Sequence, residues 1–122
     1  MKPLLILCLG NEVLSDDGFG YRVSQMLRGF DSELRRNIDV IFAPLAGLNL
    51  LNFLENRRNV LIVDTIITGK AEPGTIHFFP MNELIPSRTL TSSHQISLPT
   101  ALKLADLMGI KTPDCIDILA VE

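Results

Sequence analysis

Six consecutive apolar residues, Leu4-Leu5-Ile6-Leu7-Cys8-Leu9, stand almost at the start of the chain. A strand with one wet face would carry a polar residue at every second position, and this run carries none. Both of its faces must therefore be covered, which is the situation of strands inside parallel sheets flanked by helices. Val60-Leu61-Ile62-Val63 repeats the pattern, and Ile38 to Ala43 reads as a further strand between the two. A helix is predicted from about Gly18 to Leu34, because Phe19, Val23, Met26, Leu27 and Phe30 recur at helical spacing and Asp16 or Asp17 can cap it. A second helix is predicted at about Leu48 to Glu55. Strand, helix, strand, helix, strand implies an α/β fold, a mostly parallel, doubly wound sheet with helices on both faces.

The pattern then changes. Only nine residues, Thr65 to Pro73, lead into the strand Thr75-Ile76-His77-Phe78-Phe79. A parallel crossover needs a dozen or more, so this fourth strand is expected to run antiparallel. A loop from Met81 to Ser93 leads to His94, a helix is predicted at about Leu98 to Met108 with Gly109 ending it, and Asp114 to Val121 reads as the last strand. His77 alternates within its strand and reads as a surface or core histidine.

At 122 residues the chain is long enough for one domain, 1–122, with a real core. A hydrophobic content of 47% excludes a disordered chain, and a formal charge of −3 leaves no footprint for nucleic acid or an anionic membrane. Cys8 and Cys115 lie in apolar segments without metal-ligand spacing and read as small buried hydrophobes. The longest apolar run is far too short to span a bilayer and is not followed by a cleavage site, so a reducing cytoplasm is expected.

In doubly wound sheets the ligand site lies beyond the carboxyl ends of the strands, where the strand order reverses. Asp16 and Asp17 follow the first strand and Asp64 ends the third, so these carboxylates are expected to meet across one crevice. A carboxylate at the end of a buried strand is costly unless it is paired, hydrogen-bonded or bound to a cation. His94, in the polar run Thr91-Ser92-Ser93-His94-Gln95, could complete the cluster. Two carboxylates and an imidazole suit a divalent metal such as nickel or zinc. Taken singly the residues also have plainer uses: Asp16 and Asp17 as helix caps, Asp64 as a turn residue, His94 as a polar helix-start residue. A nucleotide-binding module fits poorly, because Cys8-Leu9-Gly10-Asn11-Glu12-Val13 lacks the glycines of a dinucleotide loop and two aspartates there would repel pyrophosphate.

Longer blocks carry a resemblance. Leu9-Gly10-Asn11-Glu12-Val13-Leu14-Ser15-Asp16-Asp17-Gly18-Phe19-Gly20 resembles the signature G-N-x-x-x-x-D-[DE]-x-x-G of the nickel–iron hydrogenase maturation endopeptidases. Ala46-Gly47-Leu48-Asn49-Leu50-Leu51, Val60 to Ile66, Pro73-Gly74-Thr75-Ile76 and the histidine block Ser92 to Leu102 are similar to that family's later blocks, in order. Cys8 stands where the family usually has a glycine. The family also generally continues beyond its last strand into a C-terminal helix, which a chain ending at Glu122 does not include.

The resemblance implies a three-layer α/β/α fold of the phosphorylase/hydrolase-like kind, with five strands in order 2-1-3-5-4 and strand 4 antiparallel. It implies a peptidase that removes the C-terminal extension of a hydrogenase large-subunit precursor after nickel insertion. Asp17, Asp64 and His94 match the family's metal ligands. Asp16, Asp17 and Asp64 are the candidate catalytic carboxylates. The metal expected is nickel, with zinc or cadmium as substitutes; recognition of nickel held by the substrate is favoured over hydrolysis by a metal resident in the enzyme. A metal-binding maturation chaperone without peptidase activity is the alternative reading.

Overall fold

A computed structural model describes residues 2–10, 18–30, 32–43, 50–84, 89–90 and 98–122. Strand β1 (Leu4–Leu9) lies between β2 (Ile38–Ala43) and β3 (Asn59–Ile67), parallel to both. Strand β4 (Ile76–Pro80) is the far edge, β5 (Thr89–Leu90) is a two-residue strand, and β6 (Cys115–Val121) lies between β3 and β4. The order is β2-β1-β3-β6-β4, with β6 parallel to β3 and β4 antiparallel to β6. Numbering only the five longer strands, this is the expected 2-1-3-5-4. The short β3–β4 connection turns through Gly69 and Gly74, whose positive φ values of 71° and 93° suit a residue without Cβ.

The expected loop from Met81 to Ser93 holds more structure than its composition suggests. A single 3-10 turn spans Met81–Glu83, and β5 pairs antiparallel with the end of β3, Leu90 opposite Ile66 and Thr89 opposite Ile67. A two-residue strand has no alternation to detect, so only the exposed end of β3 recruits it. Strand β3 itself begins at Asn59 and runs on to Ile67, beyond its expected end. Its N-terminal part pairs with β1, as far as Val63 opposite Cys8, and its later residues pair with β6 and β5.

One face of the sheet carries α1 (Gly18–Arg28), followed by the single turn α2 (Ser32–Arg35). The expected continuous helix to Leu34 is thus interrupted. Gly29, a poor helix former, donates to the carbonyl of Met26 at 3.1 Å and Phe30 to that of Leu27 at 3.2 Å, the tight bonds of a closing turn. Phe19, Val23 and Leu27 form the stripe that packs on Ile6, Cys8 and Val63. Met26 and Phe30, expected on that stripe, are exposed instead, because Met26 lies off the contacting rows and Phe30 lies past the helix end. Tyr21 meets Phe42 of β2 edge to face, with centroids 5.4 Å apart.

The other face carries α3 (Leu51–Leu54) and α4 (Leu98–Leu107). Leu7, Ile62, Ile118 and Phe79 form one row across β1, β3, β6 and β4, the first three fully buried, and Leu54 and Leu98 close over this cluster. Burying each such side chain contributes about 1.5–3 kcal/mol. Helix α4 ends in a Schellman motif: Gly109 has φ 75°, Ile110 donates to the carbonyl of Ala105 at 2.9 Å, and Gly109 to that of Asp106 at 3.2 Å. Of the two cysteines expected to be buried, Cys8 is and Cys115 is not. Cys115 is the first residue of β6, at the amino end of the sheet, and is exposed there.

Candidate active site at the carboxyl edge of the sheet

Parallel strands β1, β2, β3 and β6 all deliver their carboxyl ends to one edge, and Asp64 stands there. It occupies the first β3 position beyond the β1 ladder, opposite Ala120 of β6. It therefore lies within β3 rather than at its end, as the short apolar run had suggested, since the strand continues to pair with β6 and β5. The same alternation that buries Ile62 and Ile66 turns Asp64 into the same face, where it is 2% exposed. One carboxylate oxygen, Oδ1, accepts the backbone N–H of Thr65 at 2.7 Å. A carboxylate this deep in an apolar layer is held at a high solvation cost, which an acceptor role toward N–H donors or a cation offsets.

The β1 end is shaped by Gly20. A Cβ placed on it would fall 1.9 Å from the carbonyl oxygen of Leu9, so only glycine lets the first turn of α1 sit directly on the end of β1. Gly20 is the last residue of the Leu9–Gly20 signature block, whose spacing alone assigns it no role. Its signal was the glycine itself, placed in a helix that otherwise disfavours it.

Asp16, Asp17 and His94 lie outside the described residues. Asp17 directly precedes the first residue of α1, and His94 lies in the connection between β5 and α4. Helix α4 hands the chain to the start of β6, so its first residue Leu98 faces the same carboxyl edge as Asp64. Of the four candidate residues, the described structure thus places Asp64 alone. Among the described residues no group of three or more His, Cys, Asp or Glu side chains could hold a metal ion.

A second polar group occupies this edge and was missed from the sequence. Glu122 accepts the backbone N–H of Thr68 at 3.0 Å and the Thr68 hydroxyl, and lies 3.1 Å from Nε2 of His77. These partners, the Thr68 hydroxyl first, hold its carboxyl below the ordinary glutamate range. His77 is thus a hydrogen-bond partner of Glu122 on β4, opposite Ala120 in register, and so shares a row and a face with Asp64 across β6. The alternation of His77 with buried Phe79 was the available signal. Cys8, on the opposite face under α1, is pushed up to about 11 by burial, with Arg28 opposing, and is inert at neutral pH.

The chain is similar to known proteins over most of its length. It is 31% identical over 109 residues to the hydrogenase expression/formation protein HupD of Rhizobium leguminosarum bv. viciae, covering 87% of this chain and 52% of that protein. It is 29% identical over 108 residues to the hydrogenase 2 maturation protease of Escherichia coli, covering 87% of this chain and 65% of that protein. The chain therefore spans half to two thirds of the length of these relatives. The solution structure of an endopeptidase from Escherichia coli superposes with a TM-score of 0.75 at 25% identity, covering 99% of this chain and 74% of that one. The family model described as hydrogenase maturation protease matches residues 22–119. With the doubly wound sheet, the carboxyl-edge aspartate and this match over most of its length, the chain belongs to the hydrogenase maturation protease family.

Proposed function

We propose that this chain is an endopeptidase that removes the C-terminal extension of a nickel-containing hydrogenase large-subunit precursor after nickel has been inserted. The observation that carries the reading is a buried carboxylate, Asp64, at the carboxyl edge of a sheet whose chain matches the maturation proteases from residue 22 to 119. The nickel is part of the substrate. Asp17, Asp64 and His94 would engage it, and the donor set fits: two carboxylate groups and an imidazole accept a divalent first-row metal, with zinc or cadmium as substitutes. The deep burial of Asp64 supports this, since a cation offsets the cost of its charge. A metal held by the precursor supplies the positive charge that makes recognition wait for metallation. Asp16 would take the proton of the attacking water as general base.

The reading has a direct test. A purified precursor, prepared with and without nickel, is incubated with the wild-type chain and with Asp17→Asn and Asp64→Asn. Wild type should trim the nickel-loaded precursor alone, and each variant should lose on the order of 10²-fold or more in rate. Asparagine keeps the shape and the Thr65 N–H acceptor at position 64, so thermal midpoints should stay within a few degrees of wild type. Trimming by both variants at wild-type rate would refute the cluster, and trimming of nickel-free precursor would refute metal recognition alone.

A further inference from the structure

We infer that the amino-end edge of the sheet, opposite Asp64, is a docking surface for an acidic polypeptide segment. Two adjoining clefts open where β1, β2 and β3 begin. One, of about 370 Å³, is lined by Lys2, Arg28, Arg35, Ile38, Asp39 and Val40. The other, of about 340 Å³, is lined by Lys2, Pro3, Asn56, Arg57, Arg58 and Asn59. They share Lys2 and together present five cations to one carboxylate on a chain whose formal net charge is −3.

That carboxylate is already neutralised in place. Asp39 Oδ2 accepts Nη1 of Arg57 at 2.6 Å and the backbone N–H of Lys2 at 3.1 Å. Part of the positive charge serves helix ends: Arg28 and Arg35 lie in the last turns of α1 and α2, and Lys2 Nζ donates to the Arg35 carbonyl at 2.8 Å. Arg58 belongs to no helix end. The exposed guanidiniums of Arg35 and Arg58 have no acceptor among the described residues. Glu33 lies on α2 and Glu55 directly follows α3, and neither lines a cleft.

Guanidinium forks match carboxylates two bonds at a time, so such a rim selects anions by geometry as well as by charge. The clefts are short and concave. The rest of the chain carries the negative surplus, which disfavours a long polyanion lying across it and suits a short acidic stretch reaching into the two clefts in succession. Asp64 lies about 20 Å up β3 from Arg58, at the strand rise per residue, so docking here leaves the carboxyl edge free.

The test is independent of any peptidase activity. A fluorescein-labelled glutamate-rich decapeptide is titrated into the whole chain at low ionic strength, against wild type and the double variant Arg35→Glu/Arg58→Glu. Inorganic phosphate, a short DNA duplex and anionic vesicles are titrated alongside. Binding should be saturable, weaken with added salt, and fall by about tenfold or more in the double variant. Amide shifts should cluster at Lys2, Arg35 and Arg58. Should charge reversal unfold the chain, Arg35→Gln/Arg58→Gln replaces it with the same expected direction. No binding at low salt, binding unchanged by the substitutions, or tighter binding of phosphate, DNA or vesicles than of the peptide would each overturn the assignment.

Discussion

Gly20 of α1 and the carbonyl of Leu9 in β1 are so close that a Cβ on Gly20 would sit 1.9 Å from the carbonyl oxygen. The neighbour is backbone at the end of a strand buried between two others, so neither side can give way cheaply. Gly20→Ala must lift the start of α1 off β1, and with it the segment that carries Asp16 and Asp17. Overpacking of this kind costs about 1–3 kcal/mol or more, despite the higher helix propensity of alanine. Urea denaturation should show a lower midpoint with an unchanged slope, and a midpoint at or above wild type would show that the contact is relieved.

Acid should weaken the fold through Asp39. The hydrogen bond from Arg57 foremost, then that from the Lys2 backbone, holds its carboxyl below the ordinary aspartate range, although burial opposes them. A carboxyl with a depressed folded pKa binds its proton less readily in the folded than in the unfolded chain. Its contribution is therefore present above the unfolded value near pH 4 and is lost as pH falls through the folded one. The pair is partly exposed, so its worth is about 0.2–1 kcal/mol. Asp39→Asn should lower stability at pH 7 and change it little at pH 2, as read from denaturant midpoints. An equal loss at both pH values would assign the effect to packing.

The two thiols should separate cleanly. Cys8 is buried with its pKa raised to about 11, whereas Cys115 is exposed. An aromatic disulfide reagent at pH 8 should titrate one thiol in the native chain and two after denaturation. The Asp117 carboxylate, through its charge first and 3.7 Å from the Cys115 sulfur, raises the pKa of that thiol. Asp117→Asn should therefore speed the first reaction, and an unchanged rate would remove Asp117 from its control.

Ile76 and Phe78 of edge strand β4 are 68% and 65% exposed, on the face that α1 covers over β1, β2 and β3. Ile67, at the far end of β3, is exposed on the same face. Replacing both β4 residues by threonine keeps β propensity and removes apolar surface. Stability should change by no more than about 0.5 kcal/mol per site, while light scattering at high concentration should fall. A large loss of stability would mean that these side chains pack more than their exposure indicates.

The architecture was legible because its signals are local. Unbroken apolar runs at Leu4–Leu9 and Val60–Val63 demand cover on both faces, and nine residues after Asp64 are too few for a parallel crossover. These statements depend on chain length and on the period of the side chains, which no distant contact alters. They place Asp64 at the carboxyl edge of the sheet, and that edge is where it stands. What tertiary structure alone decided are matters of partnership. Met26 and Phe30 recur at helical spacing and still face water, because Met26 lies off the rows that contact the sheet and α1 ends at Arg28, before Phe30. Cys115 lies in an apolar segment and is nevertheless exposed, whereas its neighbour Ile116 packs against the core. His77 reads as an ordinary strand residue until β6 brings Glu122 beside it from 45 positions away. Gly20 is a weak point in a helix until the end of β1 presses against it. A sequence records the propensities and charges of its own residues, but the energy of a contact depends on which distant group arrives, and that is set only when the sheet closes.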